Sequence, residues 1–168
     1  MSLDVLILMG SDSDAPIMSA AGDALTELGL SWEMTVASAH RSPERVLRLV
    51  REAPGRGVKV FIVGAGAAAH LAGVVAAHTT LPVIGVPIPT DMAGGLDSLL
   101  SIVQMPAGIP VATVAAGKSG GRNAALLAAS ILGVADARVA AALDAGRKTM
   151  AEKVLARDRE KGVRVQGA

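Results

Sequence analysis

Leu3–Asp14 reads LDVLILMGSDSD and Trp32–Arg45 reads WEMTVASAHRSPER. In each segment a short apolar strand empties into a small polar loop that contains serine, and a helix start follows at once. In a parallel α/β sheet, loops of this kind lie side by side at the carboxyl ends of the strands, where ligands bind. The two loops together bring Ser11, Ser13, Asp14, Ser38, His40 and Arg41 to one crevice. Hydroxyls and an arginine fork suit a phosphate. A carboxylate suits sugar hydroxyls, and a histidine suits proton transfer near neutral pH.

The pattern continues outward from these loops. Strands are expected at Val5–Met9, Trp32–Ala37, Val58–Val63, Val83–Val86 and Val111–Ala115. Helices are expected at Ala15–Leu28, from Ser42 to about Ala53, and at Ala67–Ala77, Leu96–Val103 and Asn123–Leu132. Asp14 and Ser42 stand at N-cap positions, with Pro16 and Pro43 in the first turns and Gly29 at the first helix's end. The strands are continuous apolar runs, which marks burial on both faces. Alternating strands and helices with right-handed crossovers give a three-layer α/β/α sandwich with a parallel sheet of about five strands. A charged, Ala-rich helix over about residues 136–161 closes the chain, either packed on the sheet or reaching a neighbouring subunit. The 168 residues are expected to form one domain over 1–168.

Bulk composition narrows the function classes. Net charge is +1 with 18% charged residues, so there is no electrostatic footprint for nucleic acid or an acidic membrane. The absence of cysteine excludes disulfides and thiolate metal sites and fits a cytoplasmic protein. Asp4 interrupts the first apolar run, so no signal peptide is expected, and the Ala/Gly-rich stretch Val60–Ala77 is a poor membrane span. Hydrophobic residues make up 51% of the chain, yet Trp32 and Phe61 are the only aromatics. Compositional drift toward alanine and a tightly packed homo-oligomer account for this equally well.

Several motifs compete. Gly64–Ala69 fits GxGxxA with Asp91 further on, which raises an NAD-binding enzyme as a rival. The match follows the third strand rather than the first, and close backbone approach to a ligand is the more economical reading. His70 edges this segment, and His78 reads as a helix C-terminal dipole partner. Gly117-Lys118-Ser119 fails as a P-loop because Ala112 stands where the first glycine is required. A receiver domain needs an aspartate where Gly64 stands, and Asp12 and Asp14 disfavour a flavin phosphate. No metal-ligand spacing appears among three scattered histidines, and no metal or organic cofactor is expected.

Six ordered segments carry a resemblance: MGSDSD, SAHRSP, GAGAAAHL, PVIGVPI, GLDSLLSIVQMPAGIPVATV and NAALLAA. They resemble the bacterial purine-biosynthetic enzymes that make 4-carboxy-5-aminoimidazole ribonucleotide, over roughly Val5–Leu132. The AAHL and SIVQMPAGIPV segments are similar to the branch that rearranges N5-carboxyaminoimidazole ribonucleotide rather than the branch that captures free CO2. Two places depart from the family pattern: Ala72 stands where proline is common, and Thr90–Gly94 diverges. The resemblance implies a flavodoxin-like fold, a homo-octamer and a small ribonucleotide substrate. It places Ser11, Asp14 and Arg41 on the nucleotide, with Asp14 on the ribose and Arg41 with Ser13 on the phosphate. It sets Gly64, Ala65, Gly66, Ser38, Ala39, His70 and Leu71 around the base and carboxylate, and His40 as general acid/base. The alternatives are the CO2-dependent carboxylase and a non-catalytic nucleotide-binding regulator.

Overall fold

Val5–Met9 (β1) is fully enclosed because it pairs on both edges and carries helices on both faces. The structure, a computed structural model, describes residues 3–162; residues 1–2 and 163–168 of the expected unit lie outside the described residues. The other strands are β2 (Trp32–Val36), β3 (Val60–Gly66), β4 (Val83–Ile88) and β5 (Ala112–Thr113). All pairings are parallel, in the order β2-β1-β3-β4-β5. This is the flavodoxin-like arrangement. Its strand order reverses between β1 and β3, which opens a crevice at their carboxyl ends.

The helices are α1 (Ala15–Glu27), α2 (Pro43–Glu52), α3 (Leu71–Ala76), α4 (Leu96–Val103), α5 (Gly117–Gly133) and α6 (Ala137–Lys161). Side chains alternate across the sheet, so the core splits in two. Val5, Ile7, Ile62 and Ile84 pack with Met18, Leu25 and the alanines of α5. Leu6, Leu8, Phe61 and Val63 pack with Val46, Val50, Val75 and Ile102. Phe61 is wholly buried, and truncating such a ring to alanine costs about 3–5 kcal/mol.

Several elements differ from the sequence expectation, each for a physical reason. β3 runs on to Gly66, because β4 extends to Ile88 and continues to offer it a ladder: Gly64↔Val86, Ala65↔Pro87, Gly66↔Ile88. The next helix then starts at Leu71 rather than Ala67, since Ala67 is left-handed (φ 54°) and breaks any helix there. β5 shrinks to two residues. Val114 N–H still bonds Gly85 O, but the following ladder bond would need an N–H on Pro87.

α5 begins at Gly117 rather than Asn123, so GKSGG belongs to the helix despite its poor helix propensity. Tertiary packing overrides propensity here. A Cβ on Gly121 would stand 2.9 Å from Ile17 O of α1, so glycine is what lets these two helices approach. His78 Nδ1 lies 2.8 Å from Val74 O at the end of α3, as its C-terminal position suggested. Among the described residues no helix is long and apolar enough to cross a membrane.

α6 packs through its first turns, with Val139 buried against α5, while Met150, Val154 and Leu155 stand exposed. A second apolar stripe is exposed on α4, where Leu96, Leu100 and Val103 follow helical spacing.

Candidate active site

Four loops at the carboxyl ends of β1, β2, β3 and β4 enclose a cavity of about 640 Å³, well within the range of small-molecule sites. The β1 loop tightens into a 3-10 turn at Asp12–Asp14 before α1 begins. Ser11, not Asp14, is the working cap: Ser11 Oγ accepts from Ser13 N–H, and Asp14 Oδ2 reaches back to Ser11 N–H at 3.1 Å. Asp14 occupies the cap position of α1 but makes no cap bond to that helix. The reciprocal arrangement satisfies two orphan N–H groups and fixes the loop. It also buries Asp14 to 6% exposure, and that burial raises its carboxyl above the ordinary 3.8. Hydrogen bonds from Ser11 N–H and Ser13 Oγ pull the other way, while the Asp12 charge adds to the rise.

The β2 loop is held by its own serines. Ser42 Oγ accepts from Ser38 N–H and donates to Ser38 O, so it braces the loop and makes no cap bond to α2. Ser38 Oγ accepts from Arg41 N–H at 3.2 Å. The Arg41 guanidinium then crosses to the first loop and donates to Gly10 O at 3.2 Å. One loop's cation is thus set beside the other loop's serines.

From the other side, His40 Nε2 meets His70 Nδ1 at 2.8 Å, with the rings edge to face. His70 is not one turn into a helix, as its position in the sequence suggested; it stands at the cap of α3, at the end of the Ala67 turn. A left-handed alanine costs about 1–2 kcal/mol unless its surroundings hold it. Here Ala67 N–H donates to Ser98 Oγ at 2.9 Å.

Of the twelve residues expected at the site, eleven line the cavity: Ser11, Ser13, Asp14, Ser38, Ala39, His40, Arg41, Ala65, Gly66, His70 and Leu71. Gly64 lies just beneath, its carbonyl bonded to Gly10 N–H and its bare α-carbon against Met18, where any side chain would collide. Gly10, Ile17, Ala67, Ala68, Ile88, Pro89 and Thr90 also line the cavity and were not among the expected site residues. The expected end of β4 at Val86 hid the last three. Two more apolar residues, Pro87 and Ile88, carry the strand to the same level as the β1 loop. Thr90 Oγ1 donates to Asp97 Oδ1 at 2.6 Å, and this bond holds the Asp97 carboxyl below its ordinary range.

The site pairs one cation and several hydroxyls at one end with two imidazoles and small apolar walls at the other. The glycine-rich segment does not build a dinucleotide turn: Gly64 and Gly66 belong to β3, and no helix starts until Leu71. Among the described residues no three histidine, cysteine, aspartate or glutamate side chains converge as a metal site.

Known proteins share this whole framework. The chain is 53% identical to the N5-carboxyaminoimidazole ribonucleotide mutase of Brucella melitensis, covering 94% of this chain and 97% of that protein. It is also 53% identical to the mutase of the same name from Pyrococcus horikoshii, covering 88% and 82%. The crystal structure of Treponema denticola PurE superposes with a TM-score of 0.84 at 31% identity, covering 93% of this chain and 96% of that one. A family model described as AIR carboxylase matches residues 4–153, a span that takes in every strand and every loop of the crevice. The chain therefore belongs to the AIR carboxylase family.

Proposed function

We propose that this chain is an N5-carboxyaminoimidazole ribonucleotide mutase, an isomerase that forms 4-carboxy-5-aminoimidazole ribonucleotide in purine biosynthesis. The observation that carries this reading is the single crevice in which a phosphate-type end and a histidine pair face one another across small apolar walls. The names of its full-length relatives point the same way.

The phosphate goes to Arg41 and Ser13, with Ser11 beside them, and the ribose hydroxyls go to Asp14. The backbone at Ser38-Ala39 and Ala65-Gly66, with His70 and Leu71, lines the base and carboxylate; Gly64 supports that floor from below. His40 is the general acid and base. As imidazolium it donates its proton to the exocyclic nitrogen while the N–C bond of the carbamate breaks and CO2 departs. The freed aminoimidazole attacks CO2 through C4. His40 then removes the C4 proton and restores the aromatic ring, so the proton lent in the first step is recovered in the last. Holding CO2 against Ala65, Ala67 and Ala68 makes the second bond formation effectively unimolecular. None of these steps calls on a cofactor.

The assembly that fits is a homo-octamer. The apolar stripe on α4 and the exposed side chains of α6 support it, since surfaces of this kind are normally covered by a partner. Activity on a small ribonucleotide also fits a cytoplasmic site of action.

A turnover assay distinguishes the readings. The protein is expected to convert N5-carboxyaminoimidazole ribonucleotide without added bicarbonate. Efficient use of aminoimidazole ribonucleotide at low bicarbonate, with none of the carbamate, would instead identify a CO2-dependent carboxylase. Binding without turnover of either compound would identify a regulator.

A further inference from the structure

Among the described residues two polar side chains are buried: Asp14, which lines the crevice, and Ser98, which does not. Ser98 lies in the first turn of α4 and is wholly enclosed. Its Oγ donates to Ile88 O at 2.7 Å and accepts from Ala67 N–H at 2.9 Å. One hydroxyl thus ties together the β3 and β4 loops, both of which wall the crevice. One turn further on, Ser101 Oγ donates to Asp97 O at 2.8 Å and lies 3.3 Å from Ala67 O. Two serines of α4 therefore hold the N–H and the C=O of one residue, and that residue has φ 54°.

Everything distal to Ala67 in this loop hangs on that conformation. Ala69 N–H bonds Ala67 O and His70 N–H bonds Ala68 O, each at 2.8 Å. The tight turn delivers His70 to its 2.8 Å contact with His40. Alanine left to itself favours negative φ. Such a change at Ala67 would swing both the apolar wall and His70.

We propose that Ser98 is a positioning residue that acts through the Ala67 peptide to keep CO2 in the crevice between the two half-reactions. This inference rests on the mutase reading. Phosphate and ribose contacts come from the β1 and β2 loops, which Ser98 does not touch, so its loss falls on kcat more than on KM. A slackened Ala67 turn lets CO2 leave before C4 attacks. One aminoimidazole ribonucleotide is then released for each CO2 lost, with one proton taken up in place of the carboxyl group.

The test is Ser98→Ala in the full-length protein, assayed with N5-carboxyaminoimidazole ribonucleotide. Released aminoimidazole ribonucleotide and rearranged product are counted together, after subtraction of the uncatalysed loss. The expected result is a ~10-fold or greater fall in kcat for rearrangement with KM nearly unchanged, the scale of a small misplacement at a reacting centre. Free aminoimidazole ribonucleotide should appear where wild type releases almost none. Adding Ala67→Gly should restore part of the coupling, because glycine holds a left-handed φ without a partner, while the lost methyl of the apolar wall keeps the rescue incomplete. A Ser98→Ala protein that melts lower yet stays tightly coupled would overturn the inference, as would a rise in KM that accounts for the whole loss.

If Ser98→Ala does not fold, Ser101→Ala carries the test, since it loosens the same residue from its carbonyl side. It should release a smaller but measurable fraction of aminoimidazole ribonucleotide, and tight coupling there would overturn the proposal. Wild-type protein that rearranges nothing defeats the mutase reading. Wild-type protein that rearranges normally, beside a tightly coupled variant, defeats only the role of Ser98.

Discussion

His40 Nε2 and His70 Nδ1 lie 2.8 Å apart, so one ring supplies the N–H of this contact and the other the lone pair. The two imidazoles form one hydrogen-bonded unit, in which fixing the tautomer of one neutral ring fixes that of the other. His40 comes from the β2 loop and His70 from the turn after β3. The unit therefore exists only where those two loops meet, across the edge of the β1 loop that lies between them in the sheet order.

His40→Asn is expected to fold, to bind the ribonucleotide, and to lose at least ~10²-fold in kcat, the usual scale for a positioned proton-transfer group. His70→Asn keeps a polar group near His40 and should lose less, with KM little changed. Steady-state kinetics on both variants checks this. Near-normal turnover by His40→Asn would remove it from the mechanism.

Arg41→Ala removes the guanidinium that sits on Gly10 O beside Ser11 and Ser13. A lost charge-assisted contact of the usual ~1.5–3 kcal/mol corresponds to a rise in KM of about 10–10²-fold, with kcat falling less. Calorimetry with the nucleotide and with its phosphate-free nucleoside locates the contact. Equal weakening of both would place Arg41 elsewhere on the ligand.

Asp14→Asn should stabilise the fold while weakening ligand binding. Burial raises the Asp14 carboxyl above its ordinary 3.8, so the folded chain holds this proton more tightly than the unfolded chain does. Stability is therefore lost as pH rises from about 3.8 through the raised value, and the ionised group is a liability at neutral pH. Asparagine retains an acceptor for Ser11 N–H without the charge. Tm should rise by a few degrees at pH 7, where each kcal/mol is worth ~2–4 °C, and the gain should vanish near pH 3. A lower Tm at neutral pH would show that the cap matters more than the buried charge.

Sedimentation of the wild-type protein at micromolar concentration is expected to give an octamer. Leu100→Glu places a charge in the exposed stripe of Leu96, Leu100 and Val103 and should lower the assembled mass. A stable wild-type monomer would leave these apolar faces without the partner proposed for them.

Much of this protein was legible before any tertiary contact was known. β1 and α4 match their expected bounds residue for residue, because an uninterrupted apolar run and an amphipathic stretch between Gly95 and a nearby proline each have one good solution. The parallel sheet and the crevice at its switch point follow from strands that alternate with helices under a handedness rule. The loops that carry Ser11, Asp14, His40 and Arg41 were recognisable because two polar loops end adjacent strands, and the family resemblance set them apart from plain capped turns.

The order of elements and the chemistry brought to one rim were therefore written in local sequence, whereas burial on both faces holds for β1, β3 and β4 and not for the edge strands β2 and β5. The rest arises only in the folded molecule, since each remaining feature depends on groups distant in the chain. Gly121 meeting Ile17 O extends α5 over a glycine-rich start that local propensity forbids. Pro87 stops β5 from a neighbouring strand. Ser98, 31 residues from Ala67, holds a left-handed alanine that no local pattern announces, and so sets His70 against His40. Propensity and periodicity sum over neighbours in sequence; a single hydrogen bond between loops does not.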